Sequence, residues 1–371
     1  MDKLNILIIG AGIGGLTAGI ALGRRGHRVD IVEKEATGAV YGVGIIQQSN
    51  VVRAMHSLGI LQDYLGSGFG FDHVDVFSPG GQHLASVPSH KLVQDCPANV
   101  GISRIALHDI LQRRAREAGA SIRFGLTVTD LRDDATGVGV SFTDGTEARY
   151  DIVIGADGLH SAVRQWLFAD APQPQFTGQG VWRYNFKRPA EVVSLHAYAG
   201  PIGMGLVPLS DELMYLYITT PEPGNPRYAT AGLAAAMRDK LKHAPPVIAT
   251  LAAQITDDAA VVYRPLAWLL LQRAWHKGRI VLLGDAVHAT TPHLGQGAGM
   301  AIEDAIVLAE ELSLAGNPEQ AFTVYRNRRF ERCRYIVEHS KAIGDSQLGL
   351  LPPVDQAKAT ADMFRVVAEP L

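Results

Sequence analysis

The sequence predicts an α/β fold in which a parallel, helix-covered sheet is interrupted by an inserted mixed or antiparallel sheet and then resumed. Three observations carry this reading. Leu4 to Ile9 are continuously apolar, as in a parallel strand buried on both faces, and run straight into the glycines of "GAGIGG". Between Phe176 and Gln272 the character changes to alternating stretches such as "MGLVPL" and "LMYLYIT", which read as antiparallel strands. After them "RIVLLGD" restores the covered-strand pattern, so C-terminal sequence completes the first sheet.

In chain order, the first unit is strand, glycine turn, helix, strand. Gly10, Gly12 and Gly15 stand in the G-x-G-x-x-G arrangement, followed by a helical pattern ending near Gly26 and a second strand, "RVDIVEK". Gly10 allows the tight turn, Gly12 lets backbone approach a pyrophosphate, and Gly15 lets helix and strand pack closely, with the helix N-terminus facing the phosphates. Glu33, about 20 residues downstream, is placed to accept hydrogen bonds from a ribose. Lys34 is counted with the same site, although a lysine after a strand is ordinarily only solvated. Together these parts define a Rossmann-like dinucleotide site, and they leave open whether the dinucleotide is NAD or FAD.

Further along, "GISRIALHDILQRRAREAGASIRFG" sets Ile105, Leu107, Ile110 and Leu111 at helical spacing, with Arg104 just before the helix and Gly119 ending it. By itself Arg104 reads as a surface cation unless an anion lies nearby. From Thr127 to Ile154, short alternating strands broken at "DDATG" and "TDGTE" suggest a meander. "YDIVIGADG" is another strand, running into Asp157, and the proline-rich "ADAPQPQ" marks the crossing into a second domain. A helix is expected from Ala229 to Lys242, a turn at "PEPGNP", and nothing definite after "SQLGLLPP". The expected division is a dinucleotide domain of 1–72, 98–172 and 273–340, a substrate domain of 73–97 and 173–272, and a C-terminal segment of 341–371.

Composition narrows the function. At 371 residues the chain exceeds one ordinary core, which suits two domains. A net charge of −3 gives no electrostatic footprint for nucleic acid or an acidic membrane surface. No apolar run reaches membrane-spanning length, and "MDKLNILIIGAG" enters glycines without a cleavage site, so a cytoplasmic protein is expected. Cys96 and Cys333 lie far apart without metal-type spacing, which argues against a disulfide framework or a metal site.

The set formed by G-x-G-x-x-G with Glu33, "GADGLHSAVR" and "GDAVHATTPHLGQGAGMAIEDA" resembles the single-component FAD-dependent aromatic hydroxylases, relatives of para-hydroxybenzoate and salicylate hydroxylase. The match runs over nearly the whole chain in the family's order. It implies a Rossmann-like FAD-binding domain with an inserted mixed or antiparallel sheet as the substrate domain. It also implies that Gly12, Gly14, Gly15 and Glu33 hold the ADP half of FAD, and that Ile46 borders the flavin. Arg104 matches an arginine that approaches the cofactor from a helix start, and Val128 sits where the family offers backbone to the adenine. Asp157 belongs to an Asp-Gly motif associated with FAD and the visiting nicotinamide, while Asp285 matches the acid that binds ribityl hydroxyls. In the third motif Pro292 fixes a turn, and Gly295, Gln296 and Gly297, with Ala298 beside them, lie along the isoalloxazine edge. The helix starting there faces the region where reduced flavin gathers negative charge.

By the same resemblance, NAD(P)H reduces FAD, O2 gives a C4a-hydroperoxyflavin, and oxygen passes to a small phenolic or N-heteroaromatic ring. NAD(P)H is a transient co-substrate, because no second glycine fingerprint follows a strand. Tyr215 and Tyr217 alternate with Leu216 and share one strand face. Relatives place an aromatic from this sheet above the flavin, and the offset from Pro208 favours Tyr215 as catalytic. His293, directly after Pro292, is the candidate base, since an unperturbed pKa of about 6.5 would let it take a substrate proton at neutral pH. Its alternative is a packing or capping role in the loop. Arg183 could pair with a substrate carboxylate or lie on a sheet edge, and His288 and His196 read as structural. Two other readings stay open: epoxidation or Baeyer–Villiger insertion on a larger polyketide-like molecule, and a flavoprotein sensor without turnover. No nucleic-acid or membrane partner is expected, and a homodimer is left open.

Overall fold

The computed structural model describes residues 3–37, 42–200 and 202–371. The chain opens with strand β1 (Asn5–Ile9), helix α1 (Ile13–Gly23) and strand β2 (Arg28–Glu33). Further along the chain are helix α2 (Arg104–Glu117) and strands β3 (Ser121–Phe124) and β4 (Ile152–Gly155). Four long strands follow, β5 (Gln175–Lys187), β6 (Gly203–Pro208), β7 (Leu213–Pro221) and β8 (Val262–Trp268). Strand β9 (Ile280–Leu282) leads into helices α3 (Asp285–His288), α4 (Gly297–Leu314), α5 (Pro318–Gln347) and α6 (Gln356–Ala368).

The first sheet runs in the order His276–Lys277, β9, β4, β1, β2, β3. β1 pairs in parallel with β4 on one side and β2 on the other. β9 pairs in parallel with β4, through Val153 to Ile280, so the returning C-terminal sequence does rejoin the first sheet. The apolar run is explained by this central position: Ile6, Leu7 and Ile8 are fully buried. Each such side chain contributes about 1.5–3 kcal/mol by leaving water. Helix α4 is buried almost all round, from Gly299 to Leu312, which suits its largely apolar sequence, and its buried acids Glu303 and Asp304 are ion-paired.

The turn between β1 and α1 depends on glycine. Gly10 has φ +108, and a Cβ on Gly15 would stand 2.0 Å from the Gly10 carbonyl oxygen, so only glycine lets the helix pack onto the strand.

The second sheet has seven strands, ordered β8, β5, β7, β6, Leu195–Tyr198, His73–Phe77 and His83–Pro88. It is mixed, because Leu195–Tyr198 runs parallel to His73–Phe77 while the other pairs are antiparallel. The meander also forms, from Val128–Asp134, Gly137–Phe142 and Glu147–Tyr150.

Three local expectations change. The helix expected from Ala229 to Lys242 spans only Leu233–Lys240, because Gly232 stands at φ +91 immediately before it. A second helix, Pro246–Ala252, starts on a proline whose missing N–H costs nothing in a first turn. The stretch after "SQLGLLPP" folds as α6, with Met363 and Val367 buried against the core. No helix among the described residues is long and apolar enough to cross a membrane.

Candidate active site

A cavity of about 1040 Å³ lies between the first sheet and the seven-stranded one. Its wall brings together segments far apart in sequence: the glycine turn, the start of α2, the β9–α3 junction, the loop 290–298, and the inner face of β5, β7 and β8.

At one end, Gly12, Ile13 and Gly14 open onto the cavity. Gly12 is the N-cap of α1 and offers no capping side chain, and a Cβ there would meet nothing within 4 Å. The first N–H groups of the helix are therefore free for an anion. Glu33 is also tied to the backbone of the turn. Its Oε2 accepts from the Ala11 N–H at 2.9 Å and its Oε1 from the Glu35 N–H at 3.0 Å, so it braces the turn, and Glu35 lines the cavity wall. Lys34 is exposed and Val128 is buried in its strand, and neither forms part of the wall. His108, unremarkable in the sequence, does; its ring bonds the Ala11 carbonyl at 2.8 Å.

In the middle stand Arg104 and Asp285. Arg104 opens α2, and its Nε is buried without a hydrogen-bond partner. Burial lowers its pKa, while Tyr215 and Asp285 hold it up. Asp285 is exposed into the cavity at the start of α3. Desolvation within the cavity raises its pKa, opposed by His288 and Arg104. Asp157 lies just off the wall: its Oδ2 accepts from the Val163 N–H at 3.1 Å, its Oδ1 is buried without a partner, and its neighbours Ala156 and Gly158 line the space.

The loop after α3 forms the floor. Pro292 starts a single 3₁₀ turn, Pro292–Leu294, and Gly295 closes it at φ +66, where a Cβ would press on Gln48 Nε2 at 2.7 Å. Pro292, Gly295, Gly297 and Ala298 line the cavity at the uncapped N-terminus of α4, and Ile46 lines it beside Gly295. Gln296 faces away. Its amide donates to Gln48 Oε1 at 2.8 Å and Asn50 Oδ1 at 3.1 Å, which holds the loop to helix Ser49–Ser57.

Beneath this floor lies a buried ionic cluster. His288 bonds Asp304 at 2.5 Å, and Asp304 also accepts from Arg329 at 2.8 Å and from the Gly284 N–H at 3.0 Å. Arg329 continues to Glu303 at 2.8 Å. Burial works against a charged His288, yet the adjacent Asp304 raises its pKa well above the ordinary value. His288 is therefore structural, as its place in the sequence suggests.

The other end is built on the seven-stranded sheet. Tyr215 and Tyr217 share its inner face, with ring centroids 6.2 Å apart. Tyr215 packs on Gly44, where a Cβ would stand 2.5 Å from its ring. Burial raises its phenol pKa, opposed by Arg183, Arg104 and a backbone hydrogen bond from Ile46. Arg183 lines the cavity beside Arg264 of β8; burial first, then Arg104, brings its pKa down to about 10. His293 lines it as well, but burial pushes its pKa down to about 4, with the Gln347 bond and Asp345 opposing. The ordinary histidine range assumed for the base does not apply there. His196 lies off the wall, where its Nε2 stands 3.9 Å from Asp75.

The site fits FAD on its own terms. It offers free helix N-termini at two points, a carboxylate open to hydroxyls and an arginine with an unpartnered Nε, all around one space. Comparison with known proteins agrees. Residues 3–340 match the family model described as FAD binding domain. The chain is 32% identical over 360 residues to the FAD-dependent urate hydroxylase of Klebsiella pneumoniae, covering 90% of this chain and 88% of that one. It is 32% identical over 357 residues to the 6-hydroxynicotinate 3-monooxygenase of Bordetella bronchiseptica, covering 90% of each. The crystal structure of Klebsiella pneumoniae HpxO complexed with FAD and uric acid superposes with a TM-score of 0.83 at 27% identity, over 99% of this chain and 93% of that one. The chain therefore belongs to the FAD binding domain family, as an FAD-dependent monooxygenase of the single-component aromatic hydroxylase type.

Proposed function

We propose that this monooxygenase hydroxylates a small N-heteroaromatic or phenolic ring bound between the 290–298 loop and the inner face of β5, β7 and β8. The observation that carries the reading is the polarity of this cavity: the glycine turn and the N-terminus of α1 at one end, Tyr215, Arg183 and Arg264 at the other, Arg104 and Asp285 between them. The hydroxylation of urate and of 6-hydroxynicotinate by relatives of nearly equal length supports a ring of that size.

In this reading the free N–H groups of Gly12 to Gly14 hold the pyrophosphate, Asp285 the ribityl hydroxyls, and the N-terminus of α4 the pyrimidine edge of the flavin. FAD supplies electron transfer from NAD(P)H and activation of O2. The chain supplies position and charge. Arg183 and Arg264 attract an acceptor-rich or anionic ring, Tyr215 orients it with a phenol kept protonated by burial, and the closing sheet excludes water. The domains follow the same division: 1–72, 98–172 and 273–340 for the cofactor, 73–97 and 173–272 for substrate, with 341–371 as a C-terminal segment.

Purified enzyme screened against hydroxylated pyridines, purines, quinolines and benzoates tests this. The expected result is accelerated NAD(P)H loss with one member and a product carrying one ¹⁸O atom from ¹⁸O2. Binding without oxygenated product across the whole panel overturns it.

A further inference from the structure

The 30-residue helix α5 ends on Gln347, and that last side chain enters the cavity wall. Its amide oxygen is met by donors from three separate segments. His293 Nε2 approaches at 3.1 Å from the 3₁₀ turn, Gln179 Nε2 at 3.0 Å from β5, and Thr219 Oγ1 at 3.2 Å from β7. Because Gln347 presents an acceptor, the His293 proton resides on Nε2. Nδ1 is then left to accept from the Thr291 hydroxyl, 2.9 Å away. Both ring nitrogens of His293 are thus engaged by protein.

Two glycines make room for this junction. A Cβ on Gly344 would stand 3.0 Å from His293 Cε1 and 2.7 Å from Gln179 Oε1, and one on Gly203 would stand 2.9 Å from Gln347 Nε2. The Gln347 nitrogen has no protein acceptor among the described residues and is not among the buried atoms lacking a partner, so it keeps solvent access in a side chain that lines the cavity. Around it the wall offers donors, Arg183 and Arg264, while the carboxylates of the described wall, Asp285 and Glu35, belong to the cofactor end. The charge acting on the His293 ring is Asp345, which is paired with Lys341 on α5, and the charged side chains Arg104, Arg183, Arg264 and Asp285 line the same cavity.

We propose that Gln347 is a positioning and specificity residue: its amide oxygen fixes the His293 proton on Nε2, and that bond turns the amide N–H2 toward an acceptor atom of the substrate, a ring carbonyl or ring nitrogen. The proposal rests on the substrate end assigned above. It makes His293 a strut, and it requires a ring that accepts hydrogen bonds at the edge facing α5.

Histidine ¹⁵N NMR of the FAD-loaded enzyme tests the first half without any substrate, with the His293 signal identified by its loss in His293→Asn. Wild type shows a proton on Nε2, none on Nδ1, and no titration between about pH 5.5 and 8. Gln347→Leu mixes the tautomers. Gln347→Glu keeps the Nε2 proton and moves the titration upward, because a carboxylate favours the imidazolium. Gly344→Ala, in a helix that alanine favours intrinsically, displaces the ring signal through the added methyl group. The second half uses the ring compound found by the NAD(P)H screen: Gln347→Leu raises its KM about tenfold, as for one lost hydrogen bond, with FAD content and kcat nearly unchanged. A wild-type His293 that titrates in that window, or a tautomer indifferent to Gln347→Leu, overturns the proposal, as does an unchanged KM. Failure of the monooxygenase reading would appear instead as no accelerated NAD(P)H loss by wild type, which leaves the NMR result standing.

Discussion

At the scale of single residues, the site separates groups that touch the cavity from groups that hold those groups. Asp285 is of the first kind, and Asp285→Asn removes a charge-assisted hydrogen bond worth about 1.5–3 kcal/mol. FAD affinity should fall by roughly ten- to a hundredfold in a fluorescence-quenching titration. Tyr215→Phe keeps the packing on Gly44 and loses only the phenol. It should retain FAD while a larger share of NAD(P)H ends as hydrogen peroxide, measured by catalase-corrected oxygen uptake. Loss of FAD in that variant would make Tyr215 structural. His293 was attractive in the sequence because histidine ordinarily titrates near neutrality. Burial removes it from that range, to about 4. The pH profile of kcat in His293→Ala should therefore keep the same limbs between about pH 6 and 9 as wild type. A limb that vanishes would restore the base.

At the scale of elements, packing of the glycine turn and of α4 sets the tolerances. Gly15→Ala forces a methyl group to 2.0 Å from the Gly10 carbonyl, so β1 and α1 must separate. Insoluble or FAD-free protein is expected, and a normally yellow, stable variant would contradict the packing. The ionic cluster under α3 gives a pH signature. Asp304 is depressed to about 2: burial alone would raise it, but His288 and Arg329 overcome that. A carboxylate lowered on folding contributes stability above its unfolded value of about 3.9, and loses it as pH falls toward the folded value. His288 is raised on folding, so its contribution is complete below about 6.5 and fades only as pH climbs through its higher folded value. Urea midpoints should therefore drop below about pH 4. Asp304→Asn, which leaves His288 and Arg329 buried without their anion, should cost about 3–5 kcal/mol at pH 7.

At the scale of the whole molecule, the cavity exists because one chain leaves its first sheet, builds a second, and returns through β9 to place Asp285 opposite Arg104. Covered strands, the glycine turn, the meander and the return were legible, since each is a local pattern of apolar period and turn residues. The approximate site was legible too, because the motif segments carrying Gly12, Arg104, Asp285 and the 292–298 loop do meet around one space. Side-chain direction was not. Glu33 bends back to Ala11 and Glu35, Gln296 turns behind the loop to Gln48 and Asn50, and Gln347 arrives from the end of a long helix that no motif marks. Backbone course follows from periodicity and steric rules acting over a few residues, and the sequence alone determined it together with the family of the protein. Which polar atoms end up facing the cavity, and which titrate, depends on partners brought in from other elements and on burial that exists only once both sheets have packed; the tertiary structure alone decided that.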